Sequence, residues 1–243
     1  MCLLILVTAV FASAQELSEE ALSLNNQGVA YVNDKNYEAA LTSFNQALRL
    51  QPNYAAAYSN LGTAYIYLKQ FEKAAAALQQ AIKLYPAYSE AYNQLGVVYT
   101  ETVQYEKAAN AFKEAVRFKT NNAVAHYNLG CVYIRLDKLK EAVRSLEKAK
   151  QLDENNAEIR INLGTAYYGQ KQYREAIAEM QKAVRLNPND AEVQFFLGNL
   201  YLQTKDKSGA LVQYAAIKSL NPQLAEKLYQ AIYSDKVINV SSK

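Results

Sequence analysis

The chain has 243 residues, 51% of them hydrophobic, and a formal net charge of +3 with both signs spread along its length. That is enough apolar material for a sizeable core, and it excludes a dedicated nucleic-acid or polyanion binder, which would carry a basic stripe or cluster. Few Gly and Pro, no Trp, and an abundance of Ala, Leu, Gln, Glu and Lys mark a chain of helix formers.

The first segment, MCLLILVTAVFASAQ, differs from all that follows. Its apolar run from Cys2 to Phe11 is too short to span a bilayer comfortably. Ala12, Ser13 and Ala14 fit the small-x-small cleavage pattern of a secretory signal peptide. Residues 1–14 are read as that signal, cut before Gln15, with a short lead-in over 15–20, although no Lys or Arg precedes the apolar run. The expected location is periplasmic or secreted, with the cytoplasm as the alternative. Cleavage removes Cys2 and leaves Cys131 without a partner for an intrachain disulfide. Cys2 is misplaced for a lipobox, so no stable membrane anchor is expected.

From Ala21 onward a period of 34 residues governs the chain. The hexapeptide NLGTAY at Asn60 to Tyr65 recurs at Asn162 to Tyr167. Gly28, Gly62, Gly96, Gly130, Gly164 and Gly198 mark the register, with a Tyr three residues after each and an Ala twelve after. A large residue recurs further on, at Phe44, Leu78, Phe112, Leu146, Met180 and Tyr214. The units run 21–54, 55–88, 89–122, 123–156, 157–190 and 191–224, each predicted to form two amphipathic helices. In the second unit these lie near Ala55 to Leu68 and Phe71 to Leu84. The Gly and the Ala twelve residues later are expected to let the two helices approach closely. Tyr37, Phe71, Tyr105 and Tyr173 open second helices. Pro52, Pro86, Pro188 and Pro222 close four units just past a helix end, where a missing N–H costs little. Thr120 and Glu154 stand there in the other two.

The sixth unit departs from the pattern. Lys207 replaces the opening aromatic and Ile217 replaces a repeating Ala. Residues 225–238 are predicted to form one more amphipathic helix that caps the open end of the stack, and 239–243 a disordered tail.

This unbroken Leu-Gly…Tyr…Ala…Phe…Ala…Pro pattern resembles the tetratricopeptide repeat family over nearly all of the chain beyond the first segment. The resemblance implies an all-α fold, a right-handed α-α superhelix of six repeats with a C-terminal capping helix. It also implies a concave groove lined by the first helix of each pair, and a partner held there. Chaperone-binding members clamp a carboxylate with Lys and Arg. The matching positions here are Asn25, Val29, Asn60, Glu90 and Gln94, so the cationic positions are lost.

No catalytic constellation is present in the sequence. G-x-x-x-x-G-K-[ST], G-x-G-x-x-G and G-x-S-x-G are all absent. One His and one surviving Cys make no zinc site. His126 is read as a packed core residue. The chain is therefore expected to be no enzyme and to need no cofactor or metal.

The groove carries what remains. Two residues before the glycines lie Asn26, Asn60, Gln94, Asn128 and Asn162, then Phe196. Such a row of amides can hydrogen-bond the backbone of an extended peptide, or it can simply cap and solvate helices. Three residues before the glycines, Asn25, Ser59 and Asn93 are polar, whereas Tyr127, Ile161 and Phe195 are apolar. With Ile134 and Tyr168 on the next turn they make an apolar stripe, read either as a binding surface or as packing between neighbouring units. Glu90, Glu101, Glu158 and Glu192 line or rim the groove against Arg135.

The expected function is an exported, non-enzymatic scaffold that binds a protein or peptide partner, and no nucleic acid, in this groove. The expected ligand is an uncharged or mildly basic segment. A glycan-handling accessory protein of polysaccharide export or modification is one alternative. A pilus or secretion assembly factor is another.

Overall fold

The structure, a computed structural model, describes residues 18–234. The expected signal peptide, the tail, and positions 235–238 of the expected cap lie outside the described residues. Among the described residues there are thirteen helices and no strand, the all-α architecture that the pattern implies.

Two compact bodies are formed, the first ending at Ala87 and the second beginning at Tyr88. The first holds α1 (Glu19–Asn33), α2 (Tyr37–Leu50), α3 (Ala55–Tyr67) and α4 (Phe71–Leu84). The second holds α5 (Ser89–Glu101), α6 (Tyr105–Phe118), α7 (Ala123–Arg135), α8 (Leu139–Leu152), α9 (Ala157–Gly169), α10 (Tyr173–Leu186), α11 (Ala191–Gln203), α12 (Lys207–Ile217) and α13 (Pro222–Ser234). Within each body, every odd-numbered helix up to α11 pairs with the next even one, and each pair stacks on its neighbour.

The turn inside each pair repeats to the atom. In the first unit the Asn36 N–H reaches the Tyr31 carbonyl at 2.8 Å and the Lys35 N–H reaches Val32 at 3.0 Å. This is a Schellman ending, which satisfies carbonyls that the helix end would otherwise orphan. It requires a left-handed residue, and Lys35, Lys69, Val103, Asp137, Lys171 and Lys205 all have φ between 55° and 61°. A non-Gly residue there costs roughly 1–2 kcal/mol, offset by the recovered hydrogen bonds. The second helix then starts two residues later, which is why Tyr37, Phe71, Tyr105 and Tyr173 open theirs.

The constant spacing between Gly and the large residue has a direct cause. A Cβ on Gly96 would lie 2.6 Å from the buried Phe112 ring, so any larger residue must displace a core side chain. The expected approach to the Ala twelve residues on is real but looser: the nearest Ala74 atom to a Cβ at Gly62 is its carbonyl oxygen, 3.4 Å away.

The terminal pair is built differently. α13 begins at Pro222, earlier than expected, because Asn221 Oδ1 accepts the Leu224 N–H at 3.1 Å and Pro at a first helical position forfeits no bond. Ala225, Leu228 and Ile232 pack on Phe195, Ala210 and Ile217. A Cβ on Gly198 would meet Leu228 at 2.6 Å. The cap thus makes the contact expected of Tyr214, whose ring instead lies 5.4 Å from that of Tyr229.

One charged cluster sits inside the stack. Glu179 on α10 takes Arg160 of α9 at 2.8 Å and Lys150 of α8 at 3.1 Å, and its side chain is 8% exposed. Lys150 also pairs with Glu147 at 2.8 Å, and the Tyr167 hydroxyl donates to Glu147. Burial alone would raise the Glu179 carboxyl, but the hydrogen bond and charge of Lys150, with Arg160 and Lys182, hold it below its ordinary value.

Candidate functional site

The amide row is tied into the stack. Asn60 Nδ2 donates to Asn25 Oδ1 at 2.9 Å in the first body. In the second, Asn128 Nδ2 donates to Asn93 Oδ1 at 3.1 Å and Asn162 Nδ2 to the Tyr127 hydroxyl at 3.2 Å. Each bond joins the position two before one Gly to the position three before the previous one, so it staples adjacent first helices. Asn26 is exposed and Gln94 half-buried. The side-chain carbonyls of Asn60, Asn128 and Asn162, all half-buried, are what this arrangement leaves to a ligand.

The position three before the glycines faces the neighbouring helix more than it faces solvent. Asn25 and Ser59 are buried, and Phe195, expected as an exposed anchor, is only 7% exposed. It belongs to the core beneath α13. Packing between units, rather than a binding surface, accounts for it. Ile161 and Tyr127 remain half-buried. Tyr127 packs on the core of the third to fifth pairs. Burial first, and the neighbouring Cys131 next, raise its phenol. The half-buried Cys131 thiol is itself pushed up to about 11 by burial, which keeps it protonated at neutral pH.

His126 is not a core residue. It is half-buried, and its Nε2 lies 3.0 Å from the Thr120 carbonyl, to which it must be the donor. Arg160 and Gln194, one and two repeats further on, donate in the same way to the Glu154 and Pro188 carbonyls. These three side chains latch the loops before α7, α9 and α11 to the helices that follow them. Burial lowers the His126 pKa, partly opposed by the Thr120 bond.

The open apolar surface lies next to the expected stripe. A pocket of about 730 Å³ runs across α7, α9 and α11. Ile134, Ile161, Val193 and Phe196 give it an apolar floor, with Tyr168 edge-on to Phe196 at a ring separation of 5.4 Å. Thr165 turns its hydroxyl into its own helix, donating to Ile161 at 2.9 Å, so the floor offers few polar groups. Asp137, Glu158, Asp190 and Glu192 stand around it. Of the expected apolar residues the pocket gathers Ile134, Ile161 and Tyr168, and it adds Phe196. A smaller space of about 280 Å³ between α5 and α7 takes in Tyr127, Asn128, Glu101 and Arg135. Glu90 is drawn away by Lys119 at 2.8 Å, and that bond, against a small cost of burial, holds its carboxyl below the ordinary value.

Among the described residues no group of His, Cys, Asp and Glu is placed to hold a metal ion, and no helix is long and apolar enough to cross a membrane.

The sequence model of the family described as the cilia and flagella-associated protein 70 C-terminal domain matches residues 23–230. No curated protein matches the chain. Among solved structures, YrrB, described as a TPR protein with an unusual peptide-binding site, is 25% identical, with a TM-score of 0.70 over 77% of this chain and 97% of its own. PilF of Pseudomonas aeruginosa is 21% identical, with a TM-score of 0.75 over 88% of this chain and 97% of its own. A protein of Thermus thermophilus described as a thermophilic TPR protein is 25% identical, with a TM-score of 0.57 over 75% of this chain and 99% of its own.

Proposed function

The chain belongs to the family of the cilia and flagella-associated protein 70 C-terminal domain, a tetratricopeptide repeat family, and from that premise we propose that it is a non-enzymatic scaffold which holds a peptide segment of a partner protein across α7, α9 and α11. One observation carries the reading: the apolar pocket of about 730 Å³ on the first helices of three successive pairs. Its size suits one or two large side chains. The free carbonyls of Asn128 and Asn162 lie on two of the same helices and suit the N–H groups of an extended backbone. The peptide-binding site attributed to YrrB adds support by analogy. A polysaccharide is the poorer occupant, because the pocket floor is mostly aliphatic and its two rings, Tyr168 and Phe196, meet edge to face instead of offering parallel faces.

Selection of a displayed random peptide library on the immobilised protein tests the proposal. Peptides should be enriched, and Tyr168→Ala or Ile161→Ala should weaken the enriched sequences by about 1–3 kcal/mol, as truncation of a buried anchor does. Thermal melts must show that each variant stays folded. No enrichment over an unrelated helical protein, or binding unchanged by both variants, rejects the groove.

The proposal includes export, on the sequence of residues 1–14 alone. Protein recovered from outside the cytoplasm should begin at Gln15 by N-terminal sequencing, and recovery only of cytoplasmic chains that begin at Met1 rejects it.

A further inference from the structure

We infer that the pocket across α7, α9 and α11 selects a cationic apolar segment: a large aromatic or branched side chain seated on Ile161 and Phe196, with Lys or Arg close by on one or both sides. The inference rests on the groove reading above and names the chemistry of its ligand.

The charge around the pocket is one-sided. Four carboxylates, Asp137, Glu158, Asp190 and Glu192, are among its lining residues, and no Lys or Arg is. Asp190 is partly engaged, since its Oδ1 accepts the Glu192 and Val193 N–H groups at 3.1 Å as a helix cap. The other three take part in none of the ion pairs among the described residues. Glu158 and Glu192 sit in first turns, where a negative charge favours the helix for its own sake.

Asp137 has no helix N-terminus to favour its charge, although the left-handed turn position it holds suits an Asp side chain. It occupies the left-handed turn position that Lys35, Lys69, Lys171 and Lys205 hold in four other units. The backbone there accepts Lys, yet the one left-handed turn residue that lines the pocket is a carboxylate. The fold therefore presents an apolar floor inside an unpaired negative rim. A neutral apolar segment would fill the floor and leave the rim unpaired, and an acidic one would be repelled. A segment with Lys or Arg beside its anchor satisfies both. Because the rim is solvent-exposed, its contribution lies in selection and association rate more than in raw affinity, and it is screened by salt.

The test uses three fluorescein-labelled peptides of equal length, each with a central Phe, flanked by Lys, by Gln or by Glu. A fourth has the Lys flanks and a central Ala. Binding to the full chain is read by fluorescence polarisation at low and high salt. The Lys–Phe peptide should bind about tenfold or more tightly than the Glu–Phe peptide, with the gap narrowing in high salt. Asp137→Lys, a change the equivalent turns already contain, should weaken the Lys–Phe peptide by about three- to fivefold and spare the Gln–Phe peptide. Equal binding of the Lys, Gln and Glu peptides overturns the inference and leaves the groove reading standing. Equal binding of the Lys peptides with Phe and with Ala also overturns it, since the floor then plays no part. If none of these peptides binds while library selection yields binders that need Tyr168, the inference alone falls. If the library also yields none, the groove reading falls with it.

Discussion

Glu179→Ala is expected to lower the stability of the folded chain by about 3 kcal/mol, read as a fall in the urea midpoint. Removing one member of a buried ion pair leaves an uncompensated charge, which costs about 3–5 kcal/mol. The lower end applies here for a structural reason. Lys150, 20% exposed, keeps Glu147 as a second partner. Arg160, 13% exposed, keeps only the Glu154 carbonyl, and its Nε has no partner even in the intact chain. Most of the loss should therefore trace to Arg160. Replacing both residues, as Glu179→Met with Arg160→Met, should recover a good part of it, because a well-packed apolar pair can substitute for a buried ionic one. A double variant no more stable than Glu179→Met alone would show that the loss came from packing and not from the stranded cation. The pH dependence has a definite sign. The Glu179 carboxyl is held below its ordinary value in the folded chain, so its contribution is fully present above the unfolded value of about 4.3. It is lost as pH falls through the lower folded value. The gap between wild type and Glu179→Gln should accordingly shrink in acid.

How much of this was legible beforehand differs from residue to residue. The period and its Gly, Tyr and Ala columns gave the helix pairs, their order and the need for a cap, because each column answers a steric demand made in every unit. The charged cluster was half-legible. Lys150 stands in a column held by Leu48, Ile82, Val116 and Val184, with a second Lys only at Lys218 of the atypical sixth unit, and Glu179 in one held by Ser43, Ala77, Ala111, Ser145 and Gln213. Those departures could have been noticed one by one. That they meet was not readable, since the meeting depends on the crossing of α8, α9 and α10. The groove was misread by one residue. Phe195 and Phe196 are adjacent, about 100° apart around the helix, and periodicity alone did not tell the face toward the next helix from the face toward the groove. The break in the amide row at Phe196 was the available signal. The latch column of His126, Arg160 and Gln194 stayed hidden because three unlike side chains make the same bond, which residue identity cannot show.

Leu228→Ala should cost about 2–5 kcal/mol, as a fully buried Leu does when a cavity replaces it, and the loss should be local to the end of the stack. Leu228 is 0% exposed and lies directly on Gly198, which has no side chain of its own to fill the space. In a stacked array each unit is stabilised chiefly by its neighbours. The α11–α12 pair has α13 as its outer neighbour and lacks the large second-helix contact of the other pairs, so weakening α13 should melt that pair first. Ending the chain at Asn221 should have a larger effect than Leu228→Ala. It removes α13 and bares Phe195, Ile217 and Gly198 together, an apolar face of the kind that seeks a partner. Sedimentation velocity should then find concentration-dependent self-association, whereas a chain ending at Ser234, which keeps α13, should behave as the full chain does. Hydrogen exchange supplies the local readout: in Leu228→Ala, amides of α11 and α12 should lose protection while those of α5 and α6 keep theirs. A monodisperse chain ending at Asn221 with the melting temperature of the full chain would mean that α13 is dispensable and that the α11–α12 pair closes the stack by itself.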